Sequence, residues 1–402
     1  MEPAKKPAID RGEPTQMMEP LCIAEGSPHL PELLDLAMEL TAASAGLTRS
    51  LPADICASVA GLVRSMNCYY SNLIEGHNTH PIDIERALAG NYSSNVEQRN
   101  LQLEARAHIT VQKWLESVEG TEAANPQELL FKTHKRFYDA LPDELRRIQD
   151  PESGESHEVI GGEVRGRDVQ VGRHVAISPG AIPRFLERYY SGYEYLSRTH
   201  RLVAIAASHH RLLWIHPFLD GNGRVARLTS QWSLDQLLQT GNLWSISRGL
   251  ARNESTYKAH LMACDGPRRG DLDGRGNLSE GALANFTRFF LETCLDQVQF
   301  MERLVQPEQL RNRMLQWATQ GIQQGNLPHK TDQLLNAILF KGRVMRGEIP
   351  SLLGISERQA RRVTSALSYA GALTSEGHRS PFKLAFPAKL APDWMPGLFP
   401  AA

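Results

Sequence analysis

His216-Pro217-Phe218-Leu219-Asp220-Gly221-Asn222-Gly223-Arg224-Val225-Ala226-Arg227 is the stretch from which the fold and the chemistry of this 402-residue chain are read. An apolar helical pattern leads in (Leu202, Ile205, Ala206, Leu212, Leu213) and another leads out (Val225, Leu228, Trp232). The polar residues therefore form a loop clamped between two buried helices. Gly221 and Gly223 let the backbone approach a ligand closely. A glycine-rich turn that opens a helix aims free N–H groups and the positive end of the helix dipole at an anion. Arg224 and Arg227 share one side of the following helix, and guanidinium forks match phosphate oxygens. Asp220 is a hard oxygen ligand suited to magnesium. His216 stands beside this site and titrates near neutral pH. A plain helix–loop–helix corner accounts for each residue singly, but not for all of them within so short a stretch. Together they point to a nucleoside triphosphate, its metal and a base that activates a hydroxyl.

The stretch resembles, position for position, the HPFx(D/E)GNGRxxR signature of the Fic family, whose usual reaction transfers AMP from ATP to a protein hydroxyl. The resemblance implies His216 as general base, Asp220 as magnesium ligand, Asn222 and the Gly221–Gly223 amides as an anion hole, and Arg224 and Arg227 on the β and γ phosphates. It adds Phe218 to the ATP-binding set. It also implies the fold class: mainly α, a Fic-type helical core with a small β-hairpin flap.

The formal charge of −1, with 22% charged residues, argues against a protein that coats nucleic acid generally, though not against a local basic patch. Cys22, Cys56, Cys68, Cys264 and Cys294 are scattered, odd in number and free of metal spacing, which predicts reduced thiols. The chain lacks an apolar run of membrane-spanning length and a signal-peptide core, so the expectation is a soluble, cytoplasmic protein with no membrane partner.

Residues 1–28 mix Pro, Lys, Glu and Met without periodicity and predict a flexible arm, at least part of which can lie along the core. Leu30 to Ala45 reads as a short helix ending at Gly46. The helix after it has Ser50 as a plausible N-cap and Pro52 in its first turn. Ile55, Val59, Leu62, Val63, Met66, Tyr70, Leu73 and Ile74 recur along it at helical spacing, and Gly76 stops it. Glu75 at the negative end of the dipole calls for a compensating cation. Ser71-Asn72-Leu73-Ile74-Glu75-Gly76 resembles the (S/T)xxxE(G/N) inhibitory motif of Fic proteins. That resemblance implies that Glu75 pairs with Arg227 and restrains the reaction, with 50–76 as the inhibitory helix.

Residues 81–118 and Pro126 to Ala140 read as helical scaffold. From Pro151 to Gly180, Val164, Val169, Val171, Val175 and Ile177 partly alternate amid glycines, which predicts a β-hairpin at about 160–180. The family resemblance makes this the flap that registers a target hydroxyl over the base, with Val169, Val171 and His174 as docking residues. A helix is expected from Pro183 to about Arg198, with an aromatic core stripe. His209 and His210 read as packing or surface residues. Asn253 and Tyr257 are placed by resemblance at the adenine end of the nucleotide. Asp271-Leu272-Asp273-Gly274-Arg275-Gly276-Asn277 opens like a calcium loop but has Arg275 at the fifth position and Ala282 at the twelfth, and reads as a surface loop.

From about Arg311 a second unit is expected, giving domains of 29–310 and 311–402. A helix around Leu334 to Leu339, a short helix at Gly347 to Gly354, a Ser356-capped helix with Arg358, Arg361 and Arg362, and two strands in Leu373 to Phe386 resemble a winged helix-turn-helix. Such a unit binds DNA or docks proteins, including a second copy of the chain. The functional expectation is an ATP- and magnesium-dependent protein adenylyltransferase acting on a Ser, Thr or Tyr hydroxyl of a target protein, restrained by Glu75. Removal of AMP by the same site, transfer of phosphocholine or UMP, and a transcriptional regulator with a sensor core are the alternatives.

Overall fold

The structure, a computed structural model, describes residues 8–49, 51–119, 125–150 and 154–400. Its first helices are α1 (Leu30–Thr48), α2 (Ala53–Ile74), α3 (Pro81–Leu88), α4 (Val96–Glu116) and α5 (Pro126–Asp139). Two small antiparallel ladders follow, β1 (Arg147–Gln149) with β2 (Ser156–Glu158) and β3 (Gln170–Val171) with β4 (His174–Val175). Then come α6 (Ile182–Tyr193), α7 (Arg198–Ile215), α8 (Asn222–Leu238), α9 (Ile246–Arg252), α10 (Glu254–Cys264) and the long α11 (Glu280–Val305). The fold is mainly α. Among the described residues no helix is long and apolar enough to cross a membrane.

Local sequence explains most boundaries. The Ser279 hydroxyl accepts the Ala282 amide at 3.0 Å and starts α11; the Asn95 side chain does the same for α4 from Gln98. Leu283, Phe286, Phe290, Cys294, Val298 and Met301 form the fully buried stripe of α11, against which α1 packs. Gly46 does not end α1. A Cβ there would stand 2.9 Å from the Glu302 carboxylate, so the glycine serves close packing of α1 on α11 and the helix runs on to Thr48.

Other expectations are corrected too. The 81–118 segment is two helices, broken by Gly90 at φ +78° and restarted by the Asn95 cap. The hairpin expected at about 160–180 is present as β3–β4 but only two residues per strand, because the glycine-rich run before it is held by side-chain bonds to the core, and the β1–β2 ladder lies ahead of it. The helix expected to reach Arg198 stops at Tyr193, and Ser197 caps α7 instead. Residues 8–28 lie along the core rather than forming a free arm, so the packed part is larger than the expectation of a flexible arm allows. Met18, Leu21 and Ile23 are buried, the Ile9 carbonyl accepts the Gly180 amide at 2.9 Å, and Asp10 accepts both ends of the Arg184 fork. Residues 1–7, Ser50 and Pro151 lie outside the described residues.

The C-terminal elements are α12 (Pro307–Gln323), α13 (Thr331–Lys341), β5 (Arg343–Val344), α14 (Ile349–Leu353), α15 (Glu357–Tyr369), β6 (Leu373–Thr374), β7 (Phe382–Leu384) and α16 (Ala391–Trp394). Strand β5 completes a three-stranded antiparallel sheet in the order β5-β7-β6, one strand more than the sequence reading expects. One apolar cluster runs without a break from Val59 and Phe286 through Leu310 and Leu334 to Leu367 and Trp394. Asp54, in the first turn of α2, pairs with Arg343 at 3.2 Å and Lys383 at 3.3 Å, so α2 is fastened at its N-terminal end to the C-terminal sheet.

Candidate phosphate site

Helices α7 and α8 are antiparallel neighbours, and the loop between them carries the polar cluster. His216 ends α7 with a left-handed φ of 51°, a conformation that costs a residue with a Cβ on the order of 1 kcal/mol. The turn is held from outside. Arg165, 2% exposed, donates from Nε to the His216 carbonyl at 2.7 Å, from Nη2 to the Ile177 carbonyl at 2.6 Å and from Nη1 to the Arg167 carbonyl at 2.7 Å. Its amide donates to the Pro217 carbonyl at 2.9 Å. One buried guanidinium thus ties the loop to the base of the β3–β4 ladder.

The His216 ring is set as a base. Its Nδ1 lies 3.3 Å from the Leu213 carbonyl, which can only accept, so the proton sits on Nδ1 and Nε2 keeps its lone pair. Burial lowers its pKa to about 4, outweighing the Leu213 bond, with Arg165 and His174 adding to the depression. At neutral pH the imidazole is uncharged and ready to accept a proton.

Gly221, φ +79°, turns the chain into α8 beneath the Tyr138 ring, which a Cβ would meet at 2.9 Å. The Asn222, Gly223 and Arg224 amides open that helix and find no acceptor within it. Asn222 differs from the expectation. Its Nδ2 donates to the Phe218 carbonyl at 2.9 Å and its Oδ1 accepts the Phe218 amide at 3.0 Å, so its side chain closes the loop and leaves anion binding to the backbone. Phe218 is 1% exposed and stacks on His134 with ring centroids 3.8 Å apart; it anchors the loop in the core and does not face the site.

Asp220 remains 42% exposed. Its Oδ2 accepts the Tyr138 hydroxyl at 2.6 Å and lies 3.2 Å from Arg224 Nη2, while no described residue bonds Oδ1. His134 is fixed between the Gly162 amide, which donates to Nδ1 at 2.8 Å, and the Asp220 carbonyl, which accepts from Nε2 at 3.1 Å. A single open carboxylate oxygen beside an anion site fits magnesium that arrives on phosphates and keeps most of its water.

Both arginines carry carboxylate partners. Arg227, 2% exposed, donates from Nε to the Ser71 hydroxyl and from Nη2 to the Ser71 carbonyl, each at 3.0 Å, and pairs closely with Glu75. The Glu75 carboxylate also lies directly over Gly223, where a Cβ would meet Oε1 at 2.5 Å. It occupies the place of an anion at the start of α8. Burial pushes the Glu75 carboxyl up, but Arg227 and Arg224 outweigh this and hold it below its ordinary value of 4.5. Gly76, φ +86°, ends the helix behind it. Arg224 pairs closely with Glu104 of α4 and lies over the Phe137 ring at 5.0 Å. Burial lowers its pKa to about 10, so it stays charged at neutral pH.

The structure thus brings His216, Asp220, Gly221, Gly223, Arg224, Arg227, Ser71 and Glu75 together. Tyr257 does not border a nucleotide surface: it is 2% exposed, and its hydroxyl lies 2.7 Å from His209 Nε2 in the core behind Arg227. Asn253 is exposed and donates to the Gly249 carbonyl at 3.0 Å across the α9–α10 junction. In the β3–β4 ladder, Val171 pairs with His174 and is 50% exposed, the Val169 carbonyl accepts the Ala176 amide at 3.2 Å, and His174 Nε2 donates to the Trp214 carbonyl at 2.7 Å.

Glu104, His77, Tyr138, His134 and Arg165 escaped the sequence reading. Glu104 alone left a signal, a carboxylate four residues from His108 and three from Leu101 on a buried helical face.

Residues 126–234 match the model of the Fic/DOC family. Over 72 residues the chain is 42% identical to a protein adenylyltransferase Fic of Drosophila willistoni and 39% identical to that of Drosophila erecta. These matches cover 17% of this chain and 14% of each relative. The crystal structure of a Fic family protein from Desulfovibrio desulfuricans G20 is similar in fold, with a TM-score of 0.51 at 16% identity over 90% of this chain and 98% of that one.

Proposed function

We propose that this chain, a Fic family protein, is a protein adenylyltransferase that moves AMP from ATP to a Ser, Thr or Tyr hydroxyl and is held in check by Glu75. The observation that carries the reading is the Glu75 carboxylate over Gly223 and on Arg227: an anion site already engages an anion of the chain's own. With Glu75 withdrawn, the Asn222, Gly223 and Arg224 amides and the two guanidinium forks meet a triphosphate.

The neutral His216 Nε2 takes the proton of the target hydroxyl. The hydroxyl oxygen bonds to the α-phosphorus, the bond from that phosphorus to the bridging oxygen breaks, and pyrophosphate leaves. The helix amides face the charge that develops on the phosphoryl oxygens. Magnesium held by Asp220 would neutralise charge on the phosphates. The exposed Val171 edge of the β3–β4 ladder, with Val169 and His174 beside it, would receive an extended target segment. The active core on this reading is 29–310, and the last turn of α2 is the brake.

The test uses ATP labelled separately at the α and γ phosphates, incubated with magnesium, a cell lysate and either the natural chain or Glu75→Gly. Expected is α-label in protein, increased by Glu75→Gly. Incorporation of γ-label would mean phosphorylation and would overturn the reading of the pocket. Release of AMP from modified protein, with neither label entering, would favour the reverse reaction.

A second reading concerns residues 311–402. Arg358, Arg361, Arg362, Ser365 and Tyr369 lie exposed at positions i, i+3, i+4, i+7 and i+11 of α15, while Ala360, Val363 and Leu367 are buried. With the β5-β7-β6 sheet this is a winged-helix-like arrangement with a basic stripe suited to a DNA groove. A mobility shift lost on neutralising Arg358 and Arg362 supports it; a complex with protein, or self-association through the same face, supports docking instead.

A further inference from the structure

Two polar groups stand between the brake and the first arginine with no role in the reading above, Glu104 and His77. Glu104 projects from the middle of α4, its side chain 9% exposed. One oxygen pairs with Arg224 Nη1, and the other accepts His77 Nδ1–H at 2.6 Å. The His77 amide in turn donates to the Asn72 carbonyl at 2.9 Å, closing the end of α2 just past Glu75. On its other side, Arg224 Nη2 is already 3.2 Å from Asp220 Oδ2. Arg224 therefore sits between two carboxylates, and its buried Nε has no partner among the described residues.

We propose that Glu104 is a positioning residue of the phosphate site: it holds Nη1 of the Arg224 fork, so that only Nη2 reaches Asp220, the arginine stays set for phosphate and Asp220 Oδ1 stays open. This rests on the triphosphate reading of the site. The physical argument is competition for one buried cation. A desolvated guanidinium needs a carboxylate. Without Glu104 the nearest is Asp220, and a two-pronged Arg224–Asp220 pair would withdraw both groups from an incoming ligand. The distance from Nη2 to Oδ2 is short enough for that collapse to need only a rotation of the fork. His77 fixes the second oxygen of Glu104 and so the orientation of the carboxylate.

The experiment measures binding, independent of transfer. Full-length Glu75→Gly, Glu75→Gly/Glu104→Gln and Glu75→Gly/His77→Ala are titrated calorimetrically with ATP and with AMP. Expected is a loss of about tenfold in ATP affinity for the Glu104→Gln protein and a smaller loss for His77→Ala, with AMP affinity held within about twofold in both. AMP is the control because it lacks the phosphates that Arg224 would hold. His77 is 42% exposed at its side chain, so its removal keeps the question open if Glu104→Gln does not fold. ATP and AMP affinities that fall together would mark Glu104 as merely structural and overturn the proposal, as would ATP affinity that is unchanged or improved. A Glu75→Gly parent that does not prefer ATP over AMP would instead overturn the triphosphate reading itself.

Discussion

Arg224 and Arg227 stand one helical turn apart on α8, and each is paired with a carboxylate from another helix. Glu104 comes from the middle of α4, where α-helical hydrogen bonds hold the backbone on both sides and 9% of the side chain reaches solvent. Glu75 comes from the C-cap of α2, one residue before a glycine, with 33% of its side chain exposed. The same chemical pair therefore does two different things. A mid-helix carboxylate cannot leave without exposing a buried cation, so the Glu104–Arg224 pair is a fixture. A carboxylate at a helix end can leave by unwinding one turn, as the latch role proposed for the Glu75–Arg227 pair requires. The pairing alone does not distinguish a brake from a strut; its place along the helix does.

The largest effect expected from this contrast is on stability. Glu104→Ala removes the buried member of the two carboxylates on Arg224, leaves the guanidinium only the part-exposed Asp220, and should cost about 3 kcal/mol in urea unfolding. Glu75→Ala leaves the buried Arg227 its two Ser71 acceptors and should cost less, about 1–2 kcal/mol. Equal losses would erase the distinction between the two pairs.

Next is the base. His216→Ala touches neither arginine pair, yet in the Glu75→Gly background it should lower AMP transfer by about a hundredfold or more. Residual transfer close to the parent's would assign proton removal to another group. The latch itself is expected to be weaker than either. Glu75→Gly should raise transfer about tenfold, the change in competent population that about 1.4 kcal/mol of differential binding produces. Gly223→Ala separates the latch from the site it covers. Its Cβ would stand 2.5 Å from Glu75 and 3.1 Å from Arg227, displacing the latch while narrowing the anion site. Transfer should therefore not rise, although Glu75 has been dislodged.

The contrast also explains what could be read from the chain. The loop from His216 to Arg227 and the Ser71–Glu75 turn are local patterns, whole within a few residues, and both fall where the sequence reading put them relative to their helices. Amphipathic stripes made the helical class legible for the same reason. Glu104 and Arg165 act through partners 120 and 51 residues away, and nothing in their own neighbourhoods announces those partners. Phe218 and Asn222 were legible as parts of the site, yet their side chains turn inward, because the backbone turn that exposes the amides must itself be braced; Tyr257, placed there only by resemblance, lies in the core against His209. The N-terminal segment misled for a related reason: few apolar residues suffice when Met18 fills a gap in a core built by others.

The smallest effect is a ratio that should hardly move. Glu75 has a depressed pKa, so its ionised form, and the latch with it, persists above its ordinary value of 4.5 and is lost only as pH falls through its lower folded value. Transfer by Glu75→Gly divided by transfer by the natural chain should stay flat from about pH 8 to pH 5 and decline toward unity below that. His216, with a pKa of about 4, also loses its function in acid; because Glu75 raises that pKa, its loss falls at lower pH in Glu75→Gly, below the range over which the ratio should be flat. Stability sets the lower bound of the experiment. His108, His134, His209 and His210 are buried with pKa values of about 3 to 4, so the unfolded chain gains protons that the folded chain refuses as pH drops below about 6.5. Each contributes a loss of up to about 1.4 kcal/mol per pH unit in that window. The ratio must therefore be taken with folding monitored at every point. A ratio that shifts between pH 8 and pH 6 would mean that a neutral-range group works the latch, and His77, hydrogen-bonded to Glu104 and two residues past Glu75, would be the first to replace.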